Sequence, residues 1–386
     1  MLDNVLIKDY ERILIEELLS KKSEIADVDS VYYKKVKERW DMTAKPLDSL
    51  GVFEDITAKI GSILKTSEIN LEKKAVIVMC ADNGVVEEGV SQSGYEVTLA
   101  VARAMGMNKS SVGRMASVCK AKVIPIDIGI KSDEIIPGVL DKKIAKGTRN
   151  FAVEPAMTED EMKRAIQTGM DAVLYCKQNG YKIIGTGEMG IGNTTTSSAV
   201  VVSVMSGKYA ANISSDDVRD NHDVDYYLNE LVGRGAGLSN EGLVRKKQVI
   251  KDAVNKYDLC NSDILTILQT VGGLDIAGLV GVIIGGACYN IPIVLDGVIS
   301  AVSALVAVKI FPVIKNYIIA SHLGKEPSMK YIYDELGLVP VINGRLALGE
   351  GTGAVMMFSL LDNALSIYNE QTTFDDIKIE AYKRLV

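Results

Sequence analysis

IAGLVGVIIGGACYNIPIVL (276–295) runs twenty residues without a charge. A helix of that length reaches about 30 Å, the thickness of a bilayer's hydrocarbon core. It also carries Gly281 and Gly285 at the four-residue spacing that lets membrane helices approach closely. Asn290-Ile291-Pro292 interrupts it, and a proline disfavours helical backbone at the residue before. The spacing therefore predicts a helix over 274–288 and a strand over 291–295, each an ordinary buried element, and no membrane span.

Outward from this pair the same alternation recurs. AVIVMCADNG (75–84), KVIPIDIG (122–129), KIIGTG (182–187), IPIVLDG (291–297) and NYIIASH (316–322) are short β-rich runs that end in glycine or small polar residues. Helical stretches at 158–177, 194–205, 241–255 and 262–288 separate them, the first opened by a Thr158-x-x-Glu161 capping box. Apolar strands alternating with helices indicate an α/β fold, a mostly parallel Rossmann-like sheet with helices on both faces. Such sheets bind ligands at the carboxyl ends of their strands. The chain ends read differently. Leu14, Leu18 and Leu19 recur at helical spacing, a charged helix covers Val31–Trp40, and further helices are expected over Ala354–Leu365 and Asp375–Leu385. The expected division is a small helical subdomain from 1–60 and 345–386 beside an α/β domain over 61–344.

Composition narrows the function. The 386 residues are 47% hydrophobic, enough for a large core, and a net charge of -7 with a pI near 5.2 argues against a nucleic-acid binder. Five scattered cysteines without a CxxC pair, and only two histidines, leave no zinc pattern and fit a reduced, cytoplasmic protein. Acids among the apolar residues of the N-terminus exclude a signal peptide.

GTGEMGIGNTTTSS (185–198) follows a strand and opens a helix. Its Gly185-x-Gly187-x-x-Gly190 matches a dinucleotide fingerprint, but the acid expected about twenty residues later is missing. This leaves an NAD-dependent oxidoreductase as a weakened alternative. Backbone N–H groups and hydroxyls at the helix start suit a single phosphate instead. Gly233-Arg234-Gly235-Ala236-Gly237 followed by Arg245-Lys246-Lys247 offers glycine clearance and cations to an anion. Asp82, Asp127 and Asp296 stand at strand ends, where a turn or cap role competes with a functional one. No strand ends in two adjacent acids, which disfavours a magnesium-diphosphate donor. Glu350 lies between glycines in LGEGTGA (348–354); covered by Leu346 or Leu348, its pKa would rise towards a general-base value, the alternative being a helix N-terminal acid.

Together these segments resemble the nicotinate-nucleotide:5,6-dimethylbenzimidazole phosphoribosyltransferase family of cobamide lower-ligand activation. The likeness covers nearly the whole chain, through KPLDSLGVFED (45–55), ADNGVVEEGVSQSGYEVT (81–98), KIAKGTRNFAVEPAMT (143–158), GTGEMGIGNTTTSSA (185–199), VGRGAGL (232–238), GGLDIAGLVG (272–281), PIVLDGVISAVSAL (292–305), ASHLGKEP (320–327) and LALGEGTGA (346–354). The resemblance implies attack by a benzimidazole nitrogen on C1′ of nicotinate mononucleotide, without metal or cofactor. It implies Glu350 as general base and Glu188 as a second carboxylate near the ribose. It further implies Gly190, Gly192, Asn193, Thr194, Thr195, Arg234, Gly235, Lys246, Ser321 and Gly349 as phosphoribosyl contacts, and Asn83, Tyr95 and Leu348 at the acceptor base. A dimer is implied too, homomeric or with a paralogous subunit.

Two departures touch the acceptor. The family commonly reads Ala-Asp-His-Gly where this chain has Ala81-Asp82-Asn83-Gly84, and Pro-Gln-Glu-Val-Thr where it has Gly94-Tyr95-Glu96-Val97-Thr98. Another benzimidazole, a purine or a phenol is therefore weighed as acceptor. The alternative of another class is a nucleotide-binding regulatory protein without turnover.

Overall fold

The computed structural model describes residues 11–20, 25–207, 209, 224–370 and 372–384. Helices α1 (Ile15–Ser20), α2 (Ser30–Met42) and α3 (Val52–Leu64) precede the first strand, β1 (Lys74–Ala81). Next come α4 (Tyr95–Gly106), α5 (Ser111–Val118), β2 (Lys122–Gly129), β3 (Leu140–Asp141), α6 (Glu159–Gln178) and β4 (Ile183–Met189). A helical run follows: α7 (Asn193–Met205), α8 (Val224–Leu231), α9 (Asn240–Lys256), α10 (Ile264–Val271) and α11 (Leu274–Cys288). The chain closes through β5 (Ile293–Leu295), α12 (Val298–Ile310), β6 (Ile318–Ala320), β7 (His322–Gly324), α13 (Ser328–Leu336), β8 (Ile342–Leu346) and α14 (Thr352–Asn369).

Six strands form one sheet in the order β3-β2-β1-β4-β5-β6, and every neighbouring pair is parallel. This is the Rossmann-like sheet expected. The chain builds outward from β1 to β3, then crosses back to lay β4 on the other side of β1. That crossing is a topological switch point, and it opens a crevice between the ends of β1 and β4. β1 is buried at all its positions. Ala75, Ile77 and Met79 join one core, whereas Val76, Val78 and Cys80 join the other, as the two-residue period of a strand requires.

On the first face α11 is buried from Leu274 to Ala287 and crosses α6 at backbone contact. A Cβ on Gly281 would stand 1.9 Å from the Ile166 carbonyl oxygen, and one on Gly169 would stand 2.0 Å from that of Gly278. The Gly281-x-x-x-Gly285 spacing thus serves close helix packing inside a protein core. Among the described residues no helix is long and apolar enough to cross a membrane. The helix expected over 274–288 is α11, and within the helical stretch expected over 262–288 it is separated from α10 at Gly272-Gly273. α10 stops because the carbonyls of Gln269 and Thr270 accept the N–H groups of Met157 and Ala156.

On the second face α2, α3 and α14, drawn from the two chain ends, meet around Trp40 and Tyr368, whose ring centroids are 5.0 Å apart. Their apolar residues belong to the same cluster as Val76, Val78 and Val294 of the sheet. The helix expected over Asp375–Leu385 is absent through residue 384, and Leu385 lies outside the described residues. Its sequence is amphipathic but short, and a short helix needs a packed face. Arg384 instead forks onto Asp41 and Asp48 and draws the tail along α2.

Candidate active site

β4 ends in Glu188-Met189 at the switch point, and Gly192, with φ of +93°, caps α7. The cleft there gathers Glu188, Gly190, Asn193, Thr194, Gly235, Leu348 and Gly349, together with His322 and Glu326. Segments far apart in sequence reach it because β4, the loop after α8 and the loop before α14 all end on this edge of the sheet.

The loop before α14 is tightly built. Gly349, Glu350 and Gly351 hold φ of +80°, +62° and +96°, and such left-handed backbone at a glutamate costs on the order of 1 kcal/mol or more. Asp296, just past β5, holds the turn in place. Its carboxylate accepts the Gly351 N–H at 3.1 Å and the Gly353 N–H at 2.7 Å. The glycines are forced by proximity as well. A Cβ on Gly349 would lie 2.7 Å from Glu188 Oε1, one on Gly187 2.5 Å from the Glu350 carbonyl, and one on Gly353 2.1 Å from His322 Nδ1. Gly187 of the supposed dinucleotide fingerprint therefore makes room for the Glu350 loop.

Carboxylates converge from four elements. Glu188 and Asp275 share the Asn193 side-chain amide, which donates to both. Burial pushes Glu188 up to about 8, with Asp275, Asp296 and Glu350 adding to the effect against the Asn193 hydrogen bond. Burial also pushes Asp275 up to about 6, opposed by hydrogen bonds from Asn193, the Ile276 N–H and Asn83. Glu350 is half-buried and is raised by that burial, while the Val112 N–H at the start of α5, 3.2 Å from Oε2, pulls it back. The desolvation expected of Glu350 is thus present, though Leu348 itself is exposed. Glu350 adjoins the cleft through Gly349, and its carboxylate turns to Val112.

The other wall carries a buried cation. Lys246 is fully buried on α9, and its ammonium donates to Thr194 Oγ1 at 3.3 Å and to the Gly233 carbonyl at 3.1 Å. Burial lowers it to about 8, with Glu326 favouring the charged form. Gly235, at φ +56°, packs over Thr194, where a Cβ would be 2.6 Å from Oγ1.

Other residues expected at the site do not themselves line the cleft. Arg234 is exposed and folds onto its own loop, donating to the Leu238 carbonyl and Asn240. Ser321 is fully buried, bonded to the Leu295 carbonyl and, at 2.9 Å, to His322 Nδ1. Thr195 is buried with a partnerless hydroxyl. Asn83 lies buried beneath the loop, its amide 3.4 Å from the Ile191 carbonyl. Tyr95 starts α4, with the Lys131 ammonium 4.4 Å from its ring centroid and its hydroxyl buried without a partner. Of the strand-end acids, Asp82 accepts the Lys131 N–H at 2.8 Å and Asp127 the Ile130 N–H at 2.8 Å, so both tie loops. Asp275, His322 and Glu326 were not foreseen as site residues. A lone acid heading an apolar helix was the available signal for Asp275. Elsewhere, a cavity between α3 and β6 holds Lys59, whose ammonium donates to the carbonyls of Lys315 and Ile318.

A phosphoribosyltransferase family model matches residues 25–379. The chain is similar to a nicotinate-nucleotide–dimethylbenzimidazole phosphoribosyltransferase of Clostridium acetobutylicum, 42% identical over 94% of this chain and 97% of the relative. A protein of the same name from Ruminiclostridium cellulolyticum is 41% identical over 91% and 95%. Among solved structures, CobT from Thermus thermophilus superposes with a TM-score of 0.81 at 30% identity, over 91% of this chain and 100% of that one.

Proposed function

The chain belongs to the nicotinate-nucleotide–dimethylbenzimidazole phosphoribosyltransferase family, and from that premise we propose that it moves phosphoribose from nicotinate mononucleotide to 5,6-dimethylbenzimidazole or a related base, for cobamide assembly. One observation carries the reading at the level of the site. A single cleft has Glu188, raised by burial and by the acids around it, on one side and, on the other, a pocket backed by buried Lys246. A donor with a cationic pyridinium and a phosphate satisfies both.

In the reaction an azole nitrogen forms a bond to C1′ as the C1′–nicotinate bond breaks. The electron pair of that bond neutralises the pyridinium, so nicotinate leaves without protonation. The azole proton goes to Glu350, whose raised pKa suits a general base. Glu188 faces positive charge at the ribose ring. A nearby cation lowers a carboxylate's pKa, so donor binding drives Glu188 towards its ionised form. Thr194, Gly235 and Lys246 hold the phosphate. The protein's work is alignment, anchoring and proton removal.

Tyr95 in place of an amide bears on which base is taken, and its partnerless buried hydroxyl supports a role in that choice. A dimer working in the cytoplasm completes the reading, and sedimentation checks the assembly. The direct experiment follows nicotinate release from nicotinate mononucleotide and weighs the product made from mixed 5,6-dimethylbenzimidazole, a purine and a phenol. Base-dependent release with a benzimidazole riboside phosphate as main product is expected. Donor binding without release would mark a regulatory protein, and a purine or phenol product would move the acceptor.

A further inference from the structure

The anion wall of the cleft already contains an anion of the protein's own. Glu326, just before α13, accepts the Gly235 N–H on Oε1 at 2.9 Å. Its Oε2 lies against Gly233, where a Cβ would stand only 2.1 Å away. Gly233 supplies the carbonyl that holds the Lys246 ammonium at 3.1 Å, and the Glu326 charge favours that ammonium. The carboxylate thus spans the loop that Lys246 and Thr194 support from behind.

We propose that Glu326 is a counter-ion gate, occupying the phosphate pocket of the empty enzyme and displaced by the donor's phosphate. This rests on the phosphate reading of that pocket and deepens it. One backbone N–H serves one strong acceptor, so a phosphate oxygen on Gly235 requires the carboxylate to leave. Two anions side by side on one desolvated cation repel each other as well. In the empty state Glu326 serves Lys246, because a buried ammonium without a counter-charge is costly. It holds the 233–237 loop in its left-handed turn until the donor arrives. The same carboxylate competes with the product's phosphate and so hastens its departure. The device lowers affinity for bare phosphate and for both nucleotides, in exchange for a pocket that stays formed when empty.

Glu326→Gln tests this, because the amide keeps an acceptor for the Gly235 N–H and removes only the charge. Inorganic phosphate should bind about threefold to tenfold more tightly, measured by calorimetry, and the KM for nicotinate mononucleotide should fall by a similar factor. The value of kcat should not rise, since product leaves more slowly. Unchanged or weaker phosphate binding in a folded variant overturns the gate. Melting with and without phosphate reports folding. Should the amide variant not fold, Glu326→Asp, which draws the charge back from Gly235, must show the same tightening in weaker form, and its absence also overturns the gate. Lys246→Ala distinguishes gate from pocket. Loss of phosphate binding there, with no gain in Glu326→Gln, removes the gate alone, whereas phosphate binding indifferent to Lys246 removes the pocket itself.

Discussion

On one side of the cleft, burial raises Glu188, with Asp275, Asp296 and Glu350 adding to it, and neutral Asn193 stands between Glu188 and Asp275. On the other, Lys246 is buried behind Thr194 and Gly235 and is lowered to about 8. Both walls come from glycine-rich loops, yet the glycines do different jobs. Gly187 and Gly349 give space to neighbouring acids, whereas Gly235 clears a hydroxyl and presents an N–H. Burial disfavours the charged form of a group on each wall, an acid on one and a base on the other. The lesson is that a ligand carrying both charges relieves both walls at once, which neither charge alone can do.

The comparison breaks first at Glu350. Glu350→Ala should cut turnover by about 10²- to 10⁴-fold with donor KM nearly unchanged, as the proposed division between a proton-accepting wall and a phosphate-holding wall requires. Steady-state kinetics decides this, and undiminished turnover removes Glu350 as the base. Asp296→Asn comes next. An amide offers one acceptor for two loop N–H groups, so turnover should fall roughly tenfold at constant donor KM. Asp296 also raises Glu350, so the acidic limb of the pH–rate profile should move to lower pH in this variant. A merely structural role would leave that limb in place. The smallest effect concerns stability. Glu188 ordinarily titrates near 4.5 but is raised to about 8 in the folded protein. Across that window the unfolded chain has lost a proton that the folded chain keeps, so stability falls as pH rises. Melting temperatures of Glu188→Gln between pH 5 and 8 should show a flatter decline than those of the parent.

The two walls were also unequally readable in the sequence. The strands at 75–84, 122–129 and 182–187 announced themselves by apolar runs ending in glycine, whereas their order in the sheet, with β1 between β2 and β4, came only from the structure. VISAVSALVAVKI (298–310) carried no such sign. It is buried on nearly all sides as α12, so no helical period survives in its pattern. Lys246 and Gly235 were visible as glycines near cations. Asp275 and Glu326 were not, since their roles arise from distances across the fold: Asp275 through the amide of Asn193, Glu326 through the N–H of Gly235. Arg234 shows the converse. Its composition suited an anion, but its guanidinium finds partners within its own loop at Leu238 and Asn240.

α14 is both a cover and a carrier. Ala354, Val355, Met357 and Phe358 share a core with Val76, Val78, Cys80 and Val294 of the sheet, and Glu350 stands just before the helix begins. During synthesis the segments that carry Thr194, Gly235 and Lys246 emerge long before Glu350. A chain ended before α14 would lack Glu350 and would also leave part of an apolar sheet face uncovered, the kind of surface that chaperones and proteases act on.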